Sequence, residues 1–234
     1  MCGKFTQLVA WEDAFVFFSK LAEPTPDEAP VVFATPMRSA RIIRLDEAGK
    51  RESAVMRWGF SKPGAASFKP DHMHARSETV DSRPTFAESF AERRGILMVD
   101  TFNEGEEQPG GKTKQWVIRP KDRKPIALAV IWEEWEGDLG IVPCFIQLTV
   151  PANPLIAKIT DRMPAILREN DWKIWLGEED APLTDVKAVL RTFDDEGNWD
   201  MSEQSSSKAA KPKTKSQMDL LIEDRQAGLE DRVD

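Results

Sequence analysis

In the opening segment MCGKFTQLVA a cysteine stands directly behind the first methionine, and the chain has only one other, Cys144. A small second residue permits removal of Met1, which would leave a free α-amine and a thiol on adjacent carbons of Cys2. Such a 1,2-aminothiol captures aldehydes. The amine forms an imine, and the thiol closes on the same carbon to give a five-membered thiazolidine. Both groups belong to one residue, so ring closure is intramolecular and gains the effective-molarity advantage of a held geometry. An α-amine with a pKa of about 7.7–8.0 is partly neutral near physiological pH and hence nucleophilic. Taken alone, Cys2 is better accounted for by a chance small residue at a frayed terminus.

Three further segments carry groups of chemical interest. In HMHARSETV, His72 and His74 are the only histidines of the chain. H-x-H can ligate zinc, but no third or fourth ligand follows at a recognisable spacing, so no metal site and no cofactor is expected. Arg76 and Glu78 in the same segment read as a solvated pair. MVDTFNEGEEQPGG offers Glu104 at the end of a buried strand, with a hydrated acidic loop as the competing reading. ITDRMPAIL places Thr160 and Asp161 before an arginine and a proline, where a turn capped by a side-chain oxygen competes with a chemical role.

The elements that must hold these groups follow from periodicity. WEDAFVFFSKLAE has apolar residues at helical spacing and predicts an early helix, while VVFATP, RIIRL and SAVMRWGF are short, β-branched and turn-bounded, and predict strands. A helix around FAESFAERR comes next. It is followed by the strands GILMVD, QWVIR, IALAVIWEEW and CFIQLTV, then helices at NPLIAKI, DWKIWLG and TDVKAVLRTF. Helices do not alternate regularly with strands. A βαβ sheet is therefore disfavoured, and an α+β domain with a mixed, curled, barrel-like sheet flanked by helices is expected. Composition changes near residue 201, where the chain turns rich in Ser, Lys and Pro and loses its aromatic residues. Residues 1–200 read as one domain and 201–234 as a flexible tail that cannot bury enough surface to offset its ordering entropy.

Bulk properties narrow the function. With 234 residues, 41% of them hydrophobic, the chain can build a sizeable core. Two cysteines without C-x-x-C spacing exclude a disulfide framework and fit a reducing compartment. Glu12 and Asp13 interrupt the apolar stretch that a secretory signal would need, and the run IALAVIW is too short to span a bilayer. A soluble, cytoplasmic protein with no membrane contact is expected. A net charge of −8 and a pI near 5.0 argue against a diffuse basic surface that coats nucleic acid, while leaving room for a local basic groove.

Order joins the candidates. MCGKFT, ATP at 34–36, RWGF at 57–60, ARSET at 75–79, D-x-F-x-E at 100–104, IWEEW at 131–135, and TVPAN followed by DRMPAIL together resemble the SRAP family of SOS response-associated peptidases. The likeness covers nearly all of residues 2–200. It implies a protein of the DNA damage response that captures abasic sites in single-stranded DNA through Cys2. The stable covalent link shields the lesion, and the protein would be associated with the nucleoid when bound. By the same resemblance Glu104 is the carboxylate that orients the α-amine and shuttles its proton. Arg76 and Arg162 are guanidinium forks for the phosphates flanking the missing base, and Pro36 belongs to a loop against the nucleic acid. Trp58 reads as core, with stacking on a base as its other role.

Two positions depart from the pattern. The family carries asparagine before A-R-S-E, where this chain has His74, and histidine before D-R-M-P, where this chain has Thr160. Threonine does not titrate near neutral pH, so His74 is expected to take over acid–base work at the site. SKPGAASFKPDHM also lacks the tryptophan that follows W-G-L-I-P in the family, so the DNA-facing loop is expected to differ in shape. In the tail, QMDLL resembles the glutamine-led peptide by which bacterial repair proteins dock on the replicative sliding clamp. Gln217, Met218, Leu220 and Leu221 would fill an apolar pocket, and a chance pentapeptide is the other reading. Nothing resembles a dimerisation element, so a monomer is expected. Two alternative functions stay open: a non-covalent single-stranded DNA-binding or scaffold protein that has lost crosslinking, and a self-processing peptidase that only removes Met1.

Overall fold

A computed structural model describes residues 4–7, 35–137, 140–194 and 196–204. Cys2, the helix expected at WEDAFVFFSKLAE, most of VVFATP and the QMDLL peptide lie outside the described residues. The chain divides into two units, Met1–Gln204 and Ser205–Asp234, and the description below concerns the first.

The architecture is α+β, built on a closed barrel. β2 (Ser39–Leu45), β3 (Arg51–Trp58), β7 (Arg94–Val99), β10 (Ile126–Gly137) and β11 (Gly140–Pro151) run in the order β10-β7-β2-β3-β11, and β11 pairs back onto β10. Only the β3–β11 pairing is parallel, which makes the barrel mixed. β6 (His74–Arg76) and β12 (Arg162–Pro164) continue the pairing at the far end of β11. A second sheet of order β1-β8-β9-β13 joins Lys4–Thr6, Thr101–Gln108, Lys112–Pro120 and Trp199–Glu203. β4 (Phe60–Ser61) and β5 (Pro70–His72) form a small hairpin.

β10 carries an unbroken apolar run, and β11 a largely apolar one, because the barrel interior buries one face and flanking elements bury the other. α1 (Pro84–Glu92) supplies Phe86 and Phe90 to this packing, with proline in its first turn, where a missing N–H costs nothing. α2 (Trp172–Leu176) supplies Trp175, whose Nε1 donates to the Gly95 carbonyl at 2.8 Å, and α3 (Leu183–Ala188) supplies Val186. Each large side chain so buried contributes about 1.5–3 kcal/mol. Glycine is required at the exit of β3. Gly59 has φ 118°, and a Cβ there would lie 2.4 Å from Pro70 Cβ.

Several expectations need correction. NPLIAKI forms only a 3-10 turn, Ile156–Lys158, because β12 begins four residues later and Asn153 already bonds the Ile156 amide through Oδ1 at 3.0 Å. TDVKAVLRTF is helical only as far as Ala188. The strand expected to end at Glu104 instead bends at Asp100 and continues as β8 to Gln108, so Glu104 stands in mid-strand. The β8–β9 connection holds Gly110 and Gly111 at φ 84° and 75°, the left-handed geometry that a tight hairpin needs. The domain also runs past residue 200, since β13 pairs with β9 across that boundary.

Candidate active site

The N-terminal strand is fixed to the barrel by a residue that periodicity alone did not single out. Gln7 is buried; its Nε2 donates to the carbonyls of Arg41 and Met98 at 3.0 and 2.9 Å, and its Oε1 accepts from the Arg41 amide at 3.1 Å. This anchoring holds β1 in register with β8, pairing Lys4 with Asn103 and Phe5 with Phe102. Glu104 is the next residue along β8 and is 0% exposed. A buried carboxylate costs several kcal/mol unless it is partnered or used, so Glu104 is not a hydrated loop residue. Phe5, Phe102 and Glu104 share one face of the sheet, by cross-strand pairing and by the two-residue strand period.

Trp58 connects this face to the histidine. Its ring lies 5.1 Å from Phe5, stacks at 6.3 Å on Phe145, and meets the His74 ring edge-on at 5.8 Å. Its Nε1 donates to the Met73 carbonyl at 3.0 Å, and the side chain has no exposed surface. Trp58 is therefore a core residue that supports His74, in line with the first of its two sequence readings. His74 is half-buried on β6 and lies opposite Gln147 of β11. The other histidine packs elsewhere, with the His72 ring 5.2 Å from Phe86.

The two arginines part company. Arg162 is only 7% exposed. Its Nη1 and Nη2 engage the two carboxylate oxygens of Glu78, and Nη2 also donates to the Thr149 carbonyl at 2.6 Å. With both ends of its fork on Glu78, Arg162 organises the site from within. Glu78 likewise does not pair with Arg76. The Arg162 guanidinium holds its carboxyl at a pKa of about 2. Arg76 is exposed and makes no ion pair or side-chain hydrogen bond among the described residues. Alternation on β6 puts it on the same face as His74, two residues along.

The remaining candidates sit at the periphery. Pro36 is half-buried in a turn closed by the Arg38 amide on the Thr35 carbonyl at 3.0 Å. Met37, directly after it, has φ 71° and is 53% exposed. Thr160 is half-buried, donates its amide to the Ile156 carbonyl at 3.0 Å, and precedes Arg162 by two residues. In the loop that lacks the family's tryptophan, Phe68 packs edge-on against Trp135 at 5.5 Å, and Arg57 lies over Phe68 at 5.1 Å. Cys144 is buried on β11, and its Sγ donates to the Glu133 carbonyl at 3.6 Å. Burial and the nearby Glu133 carboxyl push its thiol up to about 12, so it is not a nucleophile. No group of three or more metal-ligating side chains occurs among the described residues, and none of the helices there is long and apolar enough to cross a membrane.

Comparison with known proteins bears on this arrangement. The family model described as SOS response associated peptidase (SRAP) matches residues 1–207. The abasic site processing protein YoqW of Bacillus subtilis is 28% identical over 199 residues, covering 83% of this chain and 88% of that protein. The abasic site processing protein YedK of Escherichia coli is 25% identical over 189 residues, covering 76% and 81%. A crystal structure of a protein from Bordetella bronchiseptica superposes with a TM-score of 0.71 at 24% identity, over 87% of this chain and all of the other. One from Bacteroides thetaiotaomicron superposes at 0.72 and 20% identity, over 88% and 93%.

Proposed function

We propose that this chain, which belongs to the SOS response associated peptidase (SRAP) family, recognises abasic sites in single-stranded DNA and captures them covalently through Cys2 once Met1 is removed. The carrying observation is the fully buried Glu104 one residue along β8 from Asn103, the partner of Lys4. In the sequence Cys2 precedes Lys4 by two residues. The names of relatives such as the abasic site processing proteins YoqW and YedK support the same substrate.

The chemistry balances without a cofactor. An abasic deoxyribose opens by breaking its C1′–O4′ bond, which leaves an aldehyde at C1′ and a hydroxyl at C4′. The Cys2 amine adds to C1′, and the resulting carbinolamine loses water to give the imine. The Cys2 sulfur then adds to C1′, the C=N electron pair moves to nitrogen, and nitrogen takes up the thiol proton. One water leaves overall, and no oxidant is needed. Glu104 accepts the proton that the amine releases and returns it to the departing hydroxyl. His74, held edge-on by Trp58, exchanges the proton of ring opening. Arg76, exposed on the same face, meets a flanking phosphate.

The test is a synthetic single strand with one abasic site. Wild-type protein is expected to give a heat-stable mobility shift. A strand with an intact base, or reduction of the aldehyde beforehand, is expected to abolish it. A shift unchanged by that reduction would contradict aldehyde capture. The tail peptide completes the reading as a docking segment for the sliding clamp. Capture of full-length protein on immobilised clamp, lost in Gln217→Ala, is its check, and capture unaffected by that change would remove it.

A further inference from the structure

Gln147 interrupts the apolar run of β11, and the structure makes it conspicuous. It is 0% exposed, yet neither its Oε1 nor its Nε2 has a hydrogen-bond partner among the described residues. Buried carboxamides are nearly always satisfied, because an unpaired one keeps its full desolvation penalty. Such an atom pair calls for a ligand or an ordered group that completes it.

Its surroundings indicate which. Strand alternation puts Phe145, Gln147 and Thr149 on one face of β11. Phe145 stacks on Trp58, the residue that carries His74, and Thr149 receives Arg162 through its carbonyl. Across the parallel pairing, Gln147 stands opposite His74 and Thr149 opposite Arg76. Neighbouring strands are about 4.8 Å apart, so the unsatisfied amide adjoins a half-buried position that meets solvent. Gln147 thus presents a carboxamide from the strand adjacent to His74, at the same level.

We propose that Gln147 is a specificity-determining residue whose carboxamide hydrogen-bonds the hydroxyl freed when the abasic sugar opens. This rests on the reading of the site as an abasic-aldehyde trap. A hydroxyl both donates and accepts, and a carboxamide offers one acceptor oxygen and donor N–H groups, so the two can pair reciprocally. The closed sugar lacks that hydroxyl. Pairing therefore favours the open form, the only one with a reactive aldehyde, and disfavours aldehydes without the hydroxyl.

The experiment compares two single strands: one with a natural abasic site, and one with an aliphatic aldehyde at the same distance from its phosphates and no hydroxyl. Gln147→Leu is expected to slow adduct formation on the natural strand about tenfold. On the hydroxyl-free strand the rate is expected to stay within about twofold. In the absence of DNA the variant is expected to melt higher than wild type, since a buried unpaired amide has been replaced by a similar apolar volume. Equal slowing on both strands, or a lowered melting temperature, would show that Gln147 is structural and overturn the proposal. If wild-type protein attached to neither strand, the trap reading itself would fail, and this proposal with it.

Discussion

Arg162 and Glu78 are joined nitrogen to oxygen at both ends of the guanidinium, with Nη2 of the arginine 2.9 Å from Oε2 of the glutamate. The pair ties β12 to the turn after β6, beneath the strand that carries His74 and Arg76. Its electrostatic consequence has a definite sign. Glu78 titrates normally near 4.5 and is lowered to about 2 in the fold. The stabilisation is therefore complete above the unfolded value and is lost as pH falls from about 4.5 through 2.

From this follows a division of labour between arginines. Arg162→Lys removes the two-pronged geometry and is expected to cost about 1–3 kcal/mol of stability. It should also shift acid unfolding to higher pH, while leaving the salt dependence of DNA binding unchanged. Arg76→Ala is expected to leave the melting temperature alone and to reduce the slope of log affinity against log salt by about 1. Fluorescence titrations at several salt concentrations and thermal melts separate the two. The opposite assignment of effects would make Arg162 the phosphate contact and Arg76 the structural residue.

Glu133 gives a second pH dependence of opposite sign. Burial raises its carboxyl to about 7, beside the Cys144 thiol. The folded chain thus keeps a proton that the unfolded chain releases near 4.5, and stability falls as pH rises between those values. Glu133→Gln is expected to flatten that fall and to stabilise the protein at pH 8 by on the order of 1–3 kcal/mol. Denaturant melts at pH 5 and pH 8 check it; equal pH dependence in variant and wild type would contradict it.

Much of this was legible in the chain. The runs GILMVD, IALAVIWEEW and CFIQLTV became β7, β10 and β11, whose apolar content reports burial on both faces, while QWVIR became β9, of which only Ile118 is buried. Barrel closure was less readable, since it depends on β11 pairing with both β3 and β10. Glu104 was legible by motif order, but its mid-strand setting was hidden by acidic neighbours that mimic a loop. Arg162 and Glu78 lie far apart in sequence and meet only through the β6–β11–β12 pairing, so a motif match could not reveal their partnership. Gln147 did leave a signal, as a carboxamide inside the largely apolar segment CFIQLTV.

Acid–base work by His74, as proposed, is tested through the pH dependence of the rate. His74→Ala is expected to slow adduct formation by about 10²–10³, within the range of general acid–base catalysis. It should also remove the pH dependence that an imidazole acid–base group is expected to give the wild-type rate. Rates measured between pH 5 and 8 on the abasic strand decide it. A variant with wild-type rate and profile would assign acid–base work elsewhere.

The central claim is covalent capture by an unblocked Cys2, and intact-mass analysis tests it directly. After incubation with an abasic single strand, the adduct is expected to weigh the chain without Met1, plus the strand, less one water, with the mass shift mapping to residue 2. Cys2→Ser is expected to give no thiazolidine adduct. Retention of Met1 in the adduct, or undiminished attachment by the serine variant, would contradict the account.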